Sequence, residues 1–412
     1  MTLDQSELIA SIEVKLPELR ELSDHQKGYT DQGIRLIGKI ADMDFGEFNS
    51  MLSPDTKGAV PVLDGDEMEN NWRFIRELKP VFSTQAEARR WAKKMLSGRS
   101  VGAVDGSQIY PGNELTIPFG MINIGWYINH HDGNYELAHK PRFIMPDELV
   151  FYPDADVDML REEGEVDRII ELLGKMETNG LVFLDGSLVL SFALHMHESR
   201  RVRYINSVIS LLEASKNGTL LAAYVDNSRA TDLSRMLENI LLKDGKEKEK
   251  ENKGEERKEE GDVGSVKQGQ PSEMRRHWRP TDASLVKNVL EWGGRTSAFI
   301  CARDNILDHY KSNGKDHSRE IAFFYIKTSL GRVSRVEFPA WVVEKGRVEE
   351  LADIVRAQLI VGEGYPHVLN RAHHEANVSM KERERFLGLL QRISEKYGLG
   401  IGSSLKAVKK RV

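Results

Sequence analysis

Two apolar runs, VGAVDGS at residues 101–107 and LVFLDGS at 181–187, end in the same Asp-Gly-Ser triplet. A short apolar run bounded by turn residues reads as a buried strand. The aspartate then sits where the strand leaves the core, at an edge where loops form a cleft. The glycine beside it lets the backbone turn sharply. Laid side by side, the two strands bring Asp105 and Asp185 together. Two crowded carboxylates repel unless a cation lies between them, and the hard divalent ions Mg²⁺ and Mn²⁺ prefer such oxygen donors. The pair is therefore a candidate floor for metal-assisted phosphodiester hydrolysis. Structural readings compete at both places. Asp-Gly is a hairpin-turn signal, and the first copy is followed by another strand. Asp185 or Ser187 is also suited to capping a helix that follows the second copy.

The surroundings read as mixed α/β. Residues 1–40 carry Leu8, Ile9, Ile12, Leu16, Leu19 and Leu22 at helical spacing, which predicts an amphipathic helix or a pair of them. Helix is also expected over 68–97, with TQAEARRWAKKML the clearest amphipath, over 158–177 and over 190–214. Strands are expected at VGAVDGSQIY, TIPFGMINIGWYINHHDG, LVFLDGSL and LLAAYVDNS, and later at SAFICA, IAFFYIKT and RVSRVEFPAWVV. TDASLVKNVLEWGG reads as a helix capped by Thr281, and 348–359 and 381–397 as amphipathic helices. Between them, residues 243–277 are dense in Lys and Glu and nearly lack apolar side chains. Such a run cannot bury enough surface to offset chain entropy, so a disordered insertion is expected within one domain.

Composition limits the classes of function. No stretch of the 412 residues approaches the roughly 20 apolar residues that span a bilayer, and the N-terminus lacks a signal-peptide apolar run. The expectation is a soluble, cytoplasmic chain. The one cysteine, Cys301, excludes an internal disulfide and a cysteine-based zinc cluster, and its apolar flank predicts a core position. The net charge of −6 advertises no basic field, yet 58 Lys and Arg are enough to line one groove, and the tail KAVKKRV is basic. Neither a Walker A sequence nor a Gly-x-Gly-x-x-Gly opening a helix is present, which disfavours nucleotide binding.

Further chemistry-bearing residues gather in two places. Glu162, Glu163, Glu165, Asp167 and Glu171 lie on the helix before the second Asp-Gly-Ser strand. Glu165 is one turn before Ile169 and close to the apolar stripe, so it is the candidate third carboxylate. Near the C-terminus, EGYPHVLNRAHHEAN packs Tyr365, His367, Arg371, His373 and His374 into one stretch. Pro366 can start a helix, with Tyr365 just before it and His373 about two turns along. Histidine serves as metal ligand or proton carrier, and tyrosine orients a water or stacks a base. The His spacing is not one that binds zinc.

In order and combination these pieces resemble the NurA nuclease family. The matching residues are Asp105-Gly106-Ser107, Leu184 to Leu188, Glu165 on the preceding helix, Tyr365 with Ala372-His373 eight residues on, and RVEFPAW with Arg335, Glu337 and Pro339. The resemblance covers roughly residues 95–380. It implies an RNase-H-like mixed sheet flanked by helices over that span, preceded by a helical region (1–94) and followed by a C-terminal helix and basic tail (381–412). It also implies a Mn²⁺- or Mg²⁺-dependent DNA nuclease with 5′→3′ exonuclease and single-strand endonuclease activity. Such a nuclease forms a homodimer and acts in double-strand-break end resection beside a HerA-type hexameric ATPase. Asp105, Glu165, Asp185 and His373 are then the expected metal ligands, with Tyr365 positioning phosphate or water. The strand ending YVDNSRATDL departs from the pattern at Asp226, whose role stays open. Two other readings are a metal-dependent hydrolase of RNA or small phosphoesters, and a non-catalytic adaptor binding DNA and an ATPase.

Overall fold

The computed structural model describes residues 5–77, 79–112, 117–150, 152–243, 279–329 and 331–399. The charged run expected as an insertion at 243–277, Lys243 apart, and the basic tail lie outside the described residues. In chain order, the N-terminal helical pair is α1 (Gln5–Val14) and α2 (Leu16–Ile40), followed by β1 (Gly58–Pro61) and α3 (Gln85–Leu96). Then come β2 (Val101–Ile109), β3 (Gly120–Asn129), β4 (Tyr135–Ile144), α4 (Pro153–Lys175), β5 (Leu181–Asp185), α5 (Glu198–Ser215) and β6 (Leu220–Val225). Residues 232–243 form α6. The strands β7 (Phe299–Ala302), β8 (Ile321–Ser329) and β9 (Arg332–Pro339) precede α7 (Val348–Val361), α8 (His367–Ala376) and α9 (Met380–Tyr397).

The chain divides into two compact units, one of residues 1–79, 226–304 and 323–335, the other of 80–225, 305–322 and 336–412. In the second unit five strands follow the order β4-β3-β2-β5-β6. The first three form an antiparallel meander, whereas β2, β5 and β6 run parallel. This is the mixed sheet flanked by helices that the family resemblance implies. Its chemistry is local. The five-residue connection between β3 and β4 joins antiparallel neighbours, and the helical crossovers before β5 and β6 give parallel ones. The parallel strands β5 and β6 are buried almost end to end, while β4 at the edge is exposed along most of its length.

Several local expectations are corrected. Asp105-Gly106 is not a hairpin turn, because β2 runs straight through it and pairs with β3 from Val101 to Ile109. Of the helix expected over 68–97, only α3 forms, with Thr84 Oγ1 accepting from Glu87 N at 3.2 Å. Residues 75–76 are instead a short strand. The helix expected from Leu190 is held off until Glu198. Tyr310 binds the preceding backbone from the side, donating its hydroxyl to Leu188 O at 2.7 Å and accepting from Leu190 N at 3.0 Å. Residues Ser191–His195 form a 3-10 helix in between. Thr281 caps as expected, but its helix stops at Val286. Cys301 is buried.

The first unit is organised around buried ions. Asp232, Asp282, Arg335 and Tyr325 are almost fully enclosed. Arg335 lies 2.9 Å from Asp232 and its guanidinium stacks 3.7 Å above the Phe323 ring. Arg303 forms a second ion pair with Asp232 at 2.5 Å. Burial pushes the Asp232 carboxyl up, but Arg335 and Arg303 outweigh it and hold the group below its ordinary range. Asp282 accepts from Asp232 N, Ser234 N and the Tyr325 hydroxyl. A buried ion pair broken on one side leaves an uncompensated charge. Arg335→Met should therefore cost about 3–5 kcal/mol of stability, read by urea denaturation. A loss within about 0.5 kcal/mol, typical of an unconstrained surface site, would show that Arg303 alone suffices.

Candidate active site

The parallel pairing of β2 with β5 runs from Val101 opposite Leu181 to Val104 opposite Leu184. The next residue on each strand is an aspartate, Asp105 and Asp185. Neighbouring strands lie about 4.8 Å apart, so the two carboxylates leave the sheet side by side where β5 ends. Asp185 is exposed and Asp105 partly so.

Each aspartate has a partner on the same C-terminal segment. Tyr365 donates its hydroxyl to Asp185 Oδ2 at 3.0 Å. His373 Nδ1 lies 2.7 Å from Asp105 Oδ2, with the imidazole 64% exposed. The segment is held from below. The Tyr365 ring meets the buried Tyr224 ring edge-on at 5.4 Å, and Tyr224 is the β6 residue paired with Asp185. The far end of α8 is fastened to the sheet, where Ser107 Oγ donates to Ala376 O at 2.5 Å and Asn123 Nδ2 to the same oxygen at 2.8 Å. The serine of the first Asp-Gly-Ser, together with Asn123, thus satisfies a carbonyl at the helix end.

Glycine serves this site by close approach. Gly106 has no positive φ, so the sharp-turn role expected from sequence is replaced by another. A Cβ at Gly106 would stand 2.4 Å from Glu165 Oε1 and 2.8 Å from Arg161 Cγ. On the other face, Gly125 is the cross-strand partner of Asp105, and a Cβ there would lie 2.4 Å from Ala376 N. One glycine admits the α4 carboxylate to the sheet, and the other admits the end of α8.

Glu165 is buried, and forms an ion pair with Arg161 one turn earlier on α4. Burial pushes its carboxyl up to about 8, with Arg161 pulling against that and the Asp105 charge adding to it. Of the five expected residues, Asp105 with His373 and Asp185 with Tyr365 are thus joined by hydrogen bonds. Glu165 approaches Asp105 through the opening at Gly106 but is engaged by Arg161.

Three residues escaped sequence reasoning as parts of this arrangement. Arg161 partners Glu165. Glu337, buried on β9, accepts from Ser187 Oγ at 2.8 Å and from Leu188 N at 2.6 Å, fixing the loop after Asp185. Asn123 fastens α8. The run RVEFPAW was the one available signal, and it pointed to Glu337 without giving its role. Asp226 Oδ1 accepts from Ser334 Oγ at 3.2 Å, and Asp226 lines a cavity of about 330 Å³ with Lys287 and Arg332.

A family model for the NurA domain matches residues 99–378, well over half of the chain. The chain belongs to the NurA family. No curated protein matches it. Among solved structures, the crystal structure of human ENDOV aligns over 75% of this chain and 100% of its own, with 11% identity and a TM-score of 0.27. NurA is a nuclease family, and family membership implies use of a divalent metal. In chemical kind, the donors expected from the sequence suit such an ion. Three carboxylates offer oxygen and His373 offers one nitrogen. Burial is the main cause of the raised Glu165 pKa, with the Asp105 charge a smaller one, and a cation bound beside them would favour the ionised carboxylate.

Two outcomes follow. Gly106→Ala should cost about 1–3 kcal/mol through overpacking, measured by urea denaturation; an unchanged midpoint would mean that Glu165 swings clear without penalty. In EDTA, the folded state holds a proton on Glu165 that the unfolded chain releases between its ordinary value of 4.5 and about 8. This contribution is complete below pH 4.5 and is lost as pH rises through 8, at no more than about 1.4 kcal/mol per pH unit. Glu165→Gln should flatten the fall in melting temperature over that range. An equal slope in the variant would assign the effect elsewhere.

Proposed function

We propose that this chain is a metal-dependent deoxyribonuclease, with Asp105, Asp185 and Glu165 as its carboxylate set and His373 and Tyr365 beside them. The observation that supports it most is the parallel register of β2 and β5, which sets Asp105, partway along β2, next to the exposed Asp185 at the end of β5. Asp105, Asp185, Glu165 and His373 would hold Mn²⁺ or Mg²⁺. The ion, when bound, lowers the pKa of a water and neutralises charge on the phosphoryl group.

The chain's own residues carry the rest. Tyr365 holds one Asp185 oxygen and so fixes the orientation of that carboxylate. With Nδ1 of His373 engaged by Asp105, Nε2 is the nitrogen left either to hold the ion or, in its place, to exchange a proton. Arg161 offsets the cost of Glu165's burial and supplies positive charge beside a polyanionic substrate. Glu337 keeps the Asp185 loop from drifting by engaging its hydroxyl and amide donors.

DNA as substrate, 5′→3′ exonuclease polarity with single-strand endonuclease activity, and action in break-end resection rest on family membership. So do homodimerisation and partnership with a HerA-type hexameric ATPase. Action on chromosomal DNA in the cytoplasm follows from that reading. Among the described residues no helix is long and apolar enough to cross a membrane.

End-labelled single- and double-stranded DNA, incubated with Mn²⁺, Mg²⁺ or EDTA, is the direct test. The wild type should shorten DNA only with a divalent ion, and Asp185→Asn should lower the rate by at least about 10²-fold while leaving the melting temperature unchanged. Metal-independent cleavage, or full activity in folded Asp185→Asn and Asp105→Ala proteins, would overturn the carboxylate reading.

A further inference from the structure

A second group of donors stands elsewhere in the RNase-H-like unit and shares no residue with the carboxylate set. Glu213 lies near the C-terminal end of α5, and His317 and Glu320 lie in the turn leading into β8. One oxygen of each carboxylate and one imidazole nitrogen all fall within 4.8 Å of one another.

The buried histidine distinguishes this group from an ordinary surface cluster. The His317 side chain is only 2% exposed. Its Nδ1 is 3.1 Å from Glu320 Oε2 and 3.7 Å from Glu213 Oε1. Yet His317 Nδ1 and Glu320 Oε2 are both buried without a hydrogen-bond partner among the described residues. A buried polar atom left unsatisfied is destabilising, and here two of them converge. Their backbone is fastened: His317 N donates to Tyr310 O at 2.8 Å, Glu320 N to His317 O at 3.1 Å, and Ala340 N to Glu320 O at 2.8 Å. The donors are thus held in place by main-chain bonds that do not involve the donor atoms.

We propose that Glu213, His317 and Glu320 form a binding site for a first-row transition-metal dication of the zinc type. One imidazole with two carboxylates is a donor set that zinc accepts at about 2.0–2.2 Å, and the imidazole selects against Mg²⁺ and Ca²⁺. One ion would take the lone pairs of both unsatisfied atoms together with Glu213 Oε1. Lys216 competes for the carboxylates, because its ammonium lies 2.7 Å from Glu213 Oε1 and 3.3 Å from Glu320 Oε1. The ion would displace Lys216 from the first of these. Bound there, it would tie the end of α5 to the turn before β8, so its effect is on stability rather than on the reaction.

The test uses the EDTA-stripped full chain carrying Asp105→Asn and Asp185→Asn, which weakens the nuclease-site carboxylates. Zinc alone is titrated by equilibrium dialysis with elemental analysis, and melting is followed in parallel. One zinc equivalent should remain and raise the melting temperature. Adding Glu320→Gln or His317→Ala should weaken that zinc at least tenfold, and Lys216→Ala should tighten it. Glu320→Gln, a near-isosteric change, decides the matter if His317→Ala does not fold. No retained zinc in the Asp105/Asp185 background, or zinc binding indifferent to Glu320→Gln in folded protein, would overturn the site. Either result leaves the DNA-cleavage assay to stand or fall separately.

Discussion

The candidate site depends on one interaction, the parallel hydrogen-bonded pairing of β2 with β5. Backbone register, rather than side-chain attraction, puts Asp105 beside Asp185. Left to themselves the two carboxylates would separate, since their mutual repulsion favours distance. The cost of holding them is carried by the apolar residues behind them, Val101, Val104, Leu181 to Leu184 and Leu220 to Tyr224, which are buried on strands that cannot slip. A shift of one residue would turn every one of those side chains to the opposite face. The register is therefore fixed by the core and inherited by the aspartates.

Around this pairing the sheet is opened on both faces by the absence of side chains. At Gly106 the space goes to a carboxylate from α4, and at Gly125 it goes to the backbone at the end of α8. The same small stretch of β2 and β3 thus receives a buried acid from one side and a helix terminus from the other. Satisfying the polar groups that arrive there falls to Arg161, Ser107 and Asn123. The first unit of the chain manages buried charge by another route, with Asp232 shared between Arg303 and Arg335.

What was legible in the sequence was what local pattern encodes. Apolar runs ending in Asp-Gly-Ser marked the two strands, and the repeat linked Asp105 to Asp185. Tyr365 and His373 were visible because Pro366 marks a helix start, with Tyr365 just before it and His373 about two turns along. What was not legible depended on distant partners. Gly106 reads as a turn residue until Glu165, 59 positions later, is seen to fill the volume of its missing Cβ. Glu337 looks like any strand glutamate until its bonds to Ser187 and Leu188 appear. The α-helix expected from Leu190 begins only at Glu198, after backbone that a tyrosine some 120 residues away binds from the side. Local propensity sets elements, but contacts closed across the chain decide where they start and which glycines are indispensable.

Tyr365 and His373 sit on one unbroken span, and that span is anchored at Ala376 by two side-chain bonds from the sheet. The span behaves as a clasp. Its tyrosine closes over one aspartate and its histidine over the other, so neither can be released without disturbing its neighbour. The two halves of the site therefore cannot be tuned separately. A change that loosens the anchor, although it touches neither Tyr365 nor Asp185, alters the surroundings of both aspartates at once.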